Sequence, residues 1–132
     1  MRIAFISLFK QDYGGGEGRI AHEMAQYFAR SHDVVLICPG DTTELTTAPH
    51  GLRRLTIQSA GEGDVYFPAL SHRQVIRIYD LLDDLQPEVI HAHEPALLGL
   101  VGQIWARLHN VPFVYTAHVL PSKALSFGAA DI

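Results

Sequence analysis

Gly14, Gly15 and Gly16 stand in a row ahead of Glu17. Glycine lacks the Cβ that keeps a ligand off the main chain, so a run of this kind ahead of a helix can bring backbone N–H groups against an anion. The spelling matches neither common nucleotide loop. A G-x-G-x-x-G fingerprint starting at Gly14 needs glycine where Arg19 stands, and no Gly-Lys-Ser/Thr follows as in a P-loop. A turn that binds nothing accounts for the same glycines. His91-Ala92-His93-Glu94 is the second cluster; on a strand, alternation puts both imidazoles on one face, as an H-x-H metal pair requires. A third ligand has to be Glu94 or the distant His118. The other option is one histidine packed in a sheet and one lining a polar cleft. His118 can donate or accept a hydrogen bond, and Lys10 and Lys123, the two lysines, can face an anion or simply water. Asp12, Glu17 and Asp41 can each hold a sugar hydroxyl or sit solvated in a loop. Cys38, followed by Pro39, fits a buried structural thiol better than a nucleophile.

Alternating strands and helices position these groups. Arg2-Ile3-Ala4-Phe5-Ile6-Ser7-Leu8 is a nearly continuous apolar run, the mark of a strand covered on both faces. Ile20, Met24, Tyr27 and Phe28 then recur at helical spacing, predicting an amphipathic helix whose inner face they form, with Glu23, Gln26 and Arg30 outside. Asp33-Val34-Val35-Leu36-Ile37-Cys38 is a second buried strand, closed by Pro39-Gly40. Residues 41–51 are polar and predict a loop, 52–57 a third strand, and 59–68 no regular element. Ser71 and Gln74 form a capping box that opens a helix on Val75, Ile78, Leu82 and Leu85, ended by Pro87. A short strand, Glu88-Val89-Ile90-His91-Ala92-His93, follows. Pro95 then suits the first turn of a helix carrying Leu97, Leu98, Val101, Ile104, Trp105 and Leu108, in which Gly99 and Gly102 allow close approach. Val111-Pro112-Phe113-Val114-Tyr115-Thr116 gives a fifth strand. The pattern predicts an α/β fold: a Rossmann-like open parallel sheet of about five strands with helices on both faces. Ligands of such sheets gather beyond the carboxyl ends of the strands, here after Leu8, Cys38, His91 and Thr116.

Composition narrows the classes. The chain has 132 residues, 48% hydrophobic and 18% charged, enough for one core and one domain. A (β/α)₈ barrel needs about 250 residues. The net charge of −4 gives no electrostatic ground for nucleic-acid binding. A single cysteine forms no internal disulfide, and no h-region with a small-residue cleavage site follows Met1, so a cytoplasmic location is expected.

Three segments, in this order, carry a family resemblance. Met1-Arg2-Ile3-Ala4-Phe5-Ile6-Ser7 with Gly14-Gly15-Gly16-Glu17 resembles the opening strand and Gly-Gly-x-Glu loop of family 4 (group 1) retaining glycosyltransferases of the GT-B fold. Pro87-Glu88-Val89-Ile90-His91-Ala92-His93 is similar to that family's Pro-Asp-Val-Ile-His-x-His strand, with Glu for Asp. Asn110-Val111-Pro112-Phe113-Val114-Tyr115-Thr116-Ala117-His118 is similar to its Gly-Val-Pro-x-Val-x-Thr-x-His segment, with Asn for Gly.

The resemblance implies that residues 1–132 are the acceptor-side, amino-terminal half of a two-domain enzyme, with a second half binding a nucleotide-sugar donor. It implies that Gly14, Gly15, Gly16 and Glu17 form a loop serving the donor diphosphate and the acceptor. His118 is then the residue at the transferred sugar, positioning it and stabilising charge. His93, Glu94, Lys123 and Asp12 are candidates for the acceptor pocket. No cofactor and no obligatory metal are implied, which disfavours metal at His91 and His93. A glycan, lipid or small molecule is the acceptor, and peripheral membrane contact at the inner face suits a lipid one. The chain is shorter than a complete first half, so it is expected to be an incomplete domain, inactive alone, and to self-associate through an uncovered sheet edge or helix face. A stand-alone Rossmann-like module binding a nucleotide or phospholigand, or a partner subunit, is the alternative.

Overall fold

The computed structural model describes residues 1–8, 15–60, 67–68, 70–93 and 97–116, with the side chains of 15–18 and 67–68 outside that description. In chain order the elements are β1 (Arg2–Ser7), α1 (Gly15–Phe28), β2 (Asp33–Gly40), β3 (Glu44–Thr47), a 3₁₀ turn (Pro49–Gly51), β4 (Arg53–Ala60), β5 (Phe67–Pro68), α2 (His72–Leu85), β6 (Val89–His93), α3 (Leu97–Leu108) and β7 (Phe113–Thr116). The sheet order is β3-β4-β2-β1-β6-β7. The five strands from β4 to β7 are parallel, while β3 and β5 pair antiparallel with β4.

β1 is the central strand, with Ile3 to Ile6 all buried. Its side chains alternate between two cores. Ala4 and Ile6 join Val35, Ile37, Leu55, Ile57, Ile90 and Ala92 under α2 and α3, while Ile3 and Phe5 join Val34, Leu36 and Leu52 under α1. Helices therefore cover both faces, as the alternation predicts.

The capping box at the start of α2 is present: Gln74 N–H donates to Ser71 Oγ (3.3 Å) and Ser71 N–H to Gln74 Oε1 (3.4 Å). The helix stops at Gln86, left-handed at φ 51°, ahead of Pro87. Trp105 on α3 is fully buried and donates from Nε1 to Asp83 Oδ1 of α2 (2.9 Å), tying the two helices on that face together. No helix among the described residues is long and apolar enough to cross a membrane.

Three expectations are corrected. Residues 59–68, read as having no regular element, contain the end of β4 and the short strand β5, which pair antiparallel. The inner face of α1 is formed by Ala21, Ala25 and Ala29, with His22 also buried; Ile20 (41% exposed) and Tyr27 (65%) point outward, and Met24 and Phe28 are half-buried. Small side chains let the helix axis settle close to the sheet, and that gain outweighs burying the larger stripe. The polar stretch 41–51 is not all loop, since Glu44–Thr47 forms the antiparallel edge strand β3, exposed along its length. On α3 the apolar surface exceeds what the fold covers: Leu97, Leu100, Ile104 and Leu108 are 44–71% exposed.

At Gly40, on the carboxyl end of β2, an added Cβ would lie 2.7 Å from Thr56 Cβ on β4, an atom fixed to the neighbouring backbone. At Gly102 the clash is with Ile6 Cδ1, the movable tip of a side chain. Gly40→Ala should therefore cost about 1–3 kcal/mol in urea unfolding and Gly102→Ala clearly less; equal costs would contradict this account of strand spacing.

Candidate functional site at the carboxyl edge

The strand order turns at β1. The connection leaving β1 runs through α1 on one face, and those entering and leaving β6 run through α2 and α3 on the other. A crevice opens at such a switch point, between the carboxyl ends of the two strands. Here those ends are Ser7 and His93, directly opposite in register, with Thr116 of β7 opposite His93. Ser7 and His93 are both buried. The interior strands thus end in polar side chains at one edge.

His91 and His93 share the α1 face of β6, because Ile90 and Ala92, which alternate with them, belong to the other core. Their rings stack, with centroids 4.3 Å apart and planes 21° from parallel. Phe5 lies against both rings, at 5.5 and 6.2 Å, and Phe28 of α1 lies 6.0 Å from Phe5. His91 Nε2 and Thr116 Oγ1 are 2.6 Å apart, a hydrogen bond whose direction the imidazole tautomer sets. A ligated metal lies in the plane of each imidazole about 2.0–2.1 Å from its nitrogen. Two nearly parallel stacked rings do not meet that condition at one point, and among the described residues no third His, Cys, Asp or Glu joins them. The H-x-H spacing builds an aromatic stack and a link to β7.

Two substitutions relative to the family pattern have local explanations. Asn110, where the pattern has glycine, follows α3 in the left-handed region at φ 56°, and asparagine is the residue that most readily replaces glycine there. Glu88, where the pattern has aspartate, accepts from Arg2 N–H through Oε1 (3.2 Å) and faces Arg2 Nη1 at 3.6 Å, fixing the start of β6 against the start of β1.

The remaining sequence candidates are distributed as follows. The backbone of Gly15, Gly16 and Glu17 forms the first turn of α1, on the loop side of β1. Asp41 is exposed just past the end of β2. Lys10, Asp12, Gly14, Glu94, Pro95, His118 and Lys123 lie outside the described residues. Sequence patterning missed two buried polar side chains, His22 on α1 and Arg54 on β4. The second was accessible in principle: in Leu52-Arg53-Arg54-Leu55, alternation sends one arginine to each face of a sheet covered on both.

Cys38 is fully buried at the carboxyl half of β2. Burial pushes its thiol up to about 12, against a smaller opposing pull from Arg54. The group is a neutral packing element, not a nucleophile. Because the folded-state value lies above the ordinary 9.0, the native state holds this proton longer than the unfolded chain, so its contribution is complete below pH 9 and is lost as pH rises toward 12. Cys38→Ala should flatten the fall in stability over that alkaline range, and native Cys38 should resist thiol reagents at pH 8 until the chain is unfolded. Rapid stoichiometric labelling of the folded protein would contradict this assignment.

The ends of β1, β6 and β7 lie side by side at this edge, and α1 is the helix that follows β1. A family model described as Glycosyltransferase Family 4 matches residues 14–130, a span that takes in most of the chain. Comparison with curated proteins gives no match. The order of the strands, the motifs at their carboxyl ends and the matched span agree: the chain belongs to glycosyltransferase family 4.

Proposed function

We propose that this glycosyltransferase domain is the acceptor-side half of a retaining, nucleotide-sugar-dependent enzyme. The observation that carries the proposal is the switch point of one parallel sheet, where β1, followed by α1 with Gly15 in its first turn, and the His-x-His strand β6 end side by side. In this reading a second Rossmann-like half binds the nucleotide and the two halves close over the sugar. Backbone amides of Gly15 and Gly16 approach the donor diphosphate and the acceptor, where the positive end of the helix favours negative charge. His118 contacts the transferred sugar and stabilises the charge that develops as the anomeric bond breaks. His93, Glu94, Lys123 and Asp12 shape the acceptor side. The reaction needs no obligatory metal, and the acceptor is a glycan, a lipid or a small molecule. The 132-residue chain is inactive alone.

In the complete two-half enzyme, His118→Ala should lower kcat by about two orders of magnitude or more, with the circular dichroism spectrum unchanged. Turnover near wild type would remove His118 from the sugar site. Activity of the isolated 132-residue chain with any nucleotide-sugar would contradict the division of labour.

The exposed stripe Leu97, Leu100, Ile104 and Leu108 bears on self-association. The stripe carries no charge, so two copies can meet there without repulsion. Four side chains on one twelve-residue helix are a small patch beside the roughly 1,000 Å² that a specific interface buries, so the pairing is weak. Light scattering should show concentration-dependent dimers that Leu100→Asp or Leu108→Asp abolishes; a strict monomer at high concentration would rule the contact out.

A further inference from the structure

Helix α2 and the antiparallel pair β3–β4 enclose a cavity of about 250 Å³ at the side of the sheet. Leu45 of β3 stands directly opposite Leu55 of β4, so both side chains face α2, where Leu81 completes an apolar floor. Polar contacts tie the helix to the sheet at both ends. At one end Thr43 Oγ1 accepts from Gln74 Nε2 in the first turn of α2 (3.1 Å) and from Gln58 N–H (2.8 Å). At the other, Arg53 Nη1 meets Asp84 Oδ2 in the last turn of α2 at 2.6 Å. Between these ties the wall is formed by Arg77 and Asp80, neighbours on one side of α2 at i and i+3.

Floor and wall make different demands on an occupant. Leu55 and Leu81 are buried, but Leu45 is 47% exposed, because β3 ends the sheet before anything covers its apolar side chain. An apolar group placed there removes that surface from water. On the wall, Asp84 is already neutralised by Arg53, whereas Arg77 and Asp80 take part in none of the ion pairs among the described residues. The two charges left facing the cavity are therefore opposite in sign and cancel. A simple cation or anion satisfies one of them and is repelled by the other; a molecule carrying both charges satisfies both. Volume sets the size of that molecule, since the cavity falls below the roughly 300–1,000 Å³ of ordinary ligand pockets and a nucleotide does not fit.

We propose that this cleft binds a small zwitterion with an apolar side chain, an aliphatic α-amino acid. Its carboxylate meets the Arg77 guanidinium, whose planar fork suits two oxygens at once, and its ammonium group meets the Asp80 carboxylate. Its side chain lies on Leu45, Leu55 and Leu81. The cleft is separated by β2 from β1 and the crevice at Ser7 and His93, so it stands independently of the transferase reading.

The test uses the 132-residue chain, titrated at constant ionic strength and neutral pH with L-leucine and, in parallel, with glycine, 3-methylbutylamine and 3-methylbutanoate. Leucine should shift the amide resonances of Leu45, Leu55, Arg77 and Leu81 saturably in NMR spectra, and the three probes that lack its side chain, its carboxylate or its ammonium group should bind about tenfold more weakly or less. Arg77→Met and Asp80→Asn, both at exposed positions, should keep the wild-type spectrum elsewhere and each weaken leucine binding by about tenfold or more. The absence of a saturable shift with leucine, an amine or acid that binds as tightly as leucine, or folded variants that bind leucine like the wild type would overturn the proposal. Should either variant fail to fold, the comparison of the four probes on the wild-type chain decides by itself.

Discussion

Strand β1 is enclosed on four sides, and the rest of the structure follows from that. β2 and β6 hold its two edges in parallel register, α1 covers one face, and α2 and α3 cover the other. Both of its edges are therefore paired, and every side chain from Ile3 to Ile6 is removed from water. Burying a large aliphatic or aromatic side chain of this kind contributes about 1.5–3 kcal/mol. A strand so enclosed has nowhere to place a polar group except at its end. That is where Ser7 sits, and the parallel register then brings His93 and, one strand further, Thr116 to the same level. The polar edge is a consequence of the apolar middle.

The same enclosure explains how much of the molecule was legible in its sequence. Strands buried on both faces are continuous apolar runs, so β1, β2 and β6 stand out, and α2 carries its own start signal in Ser71 and Gln74. Legibility ends where tertiary spacing, not periodicity, decides. The inner face of α1 is chosen by how closely the helix can approach the sheet, which favours Ala21, Ala25 and Ala29 over the larger Ile20 and Tyr27. β3 is invisible for a different reason: an exposed antiparallel edge strand has no buried face to impose alternation, and Glu44-Leu45-Thr46-Thr47 looks like any polar connection. At the candidate site the motif strands were legible, whereas the geometry between them was not. The spacing of His91 and His93 allowed a metal pair; the stacked rings and the Thr116 hydrogen bond come from packing against Phe5 and β7.

Substitutions within the family motifs show which physical requirement each position carries. At residue 110 the requirement is a left-handed backbone after α3, which asparagine meets nearly as well as glycine. At residue 88 it is a carboxylate able to reach the first amide of β1, and the longer glutamate still reaches it. Neither change disturbs the alignment of β6 with β1 on which the crevice depends.

Arg54 is the point at which the packing logic and the composition of the sequence disagree. Alternation in β4 demands an apolar residue on the α1 face between Leu36 and the antiparallel partner Thr46, and an arginine stands there. An apolar side chain of similar length would fill the same space without the cost of desolvating a permanent charge, so packing alone does not account for the choice. Its neighbour Arg53 shows what a structural arginine looks like in this protein: half-buried and paired through Nη1 with the Asp84 carboxylate of α2. Arg54 differs: beside the exposed edge strand β3 and level with Leu36, it is 9% exposed and its Nε meets no acceptor among the described residues. Away from the polar carboxyl edge, the sheet is thus consistent with its apolar pattern among the described strands except at this one inward arginine, where local propensity and packing disagree.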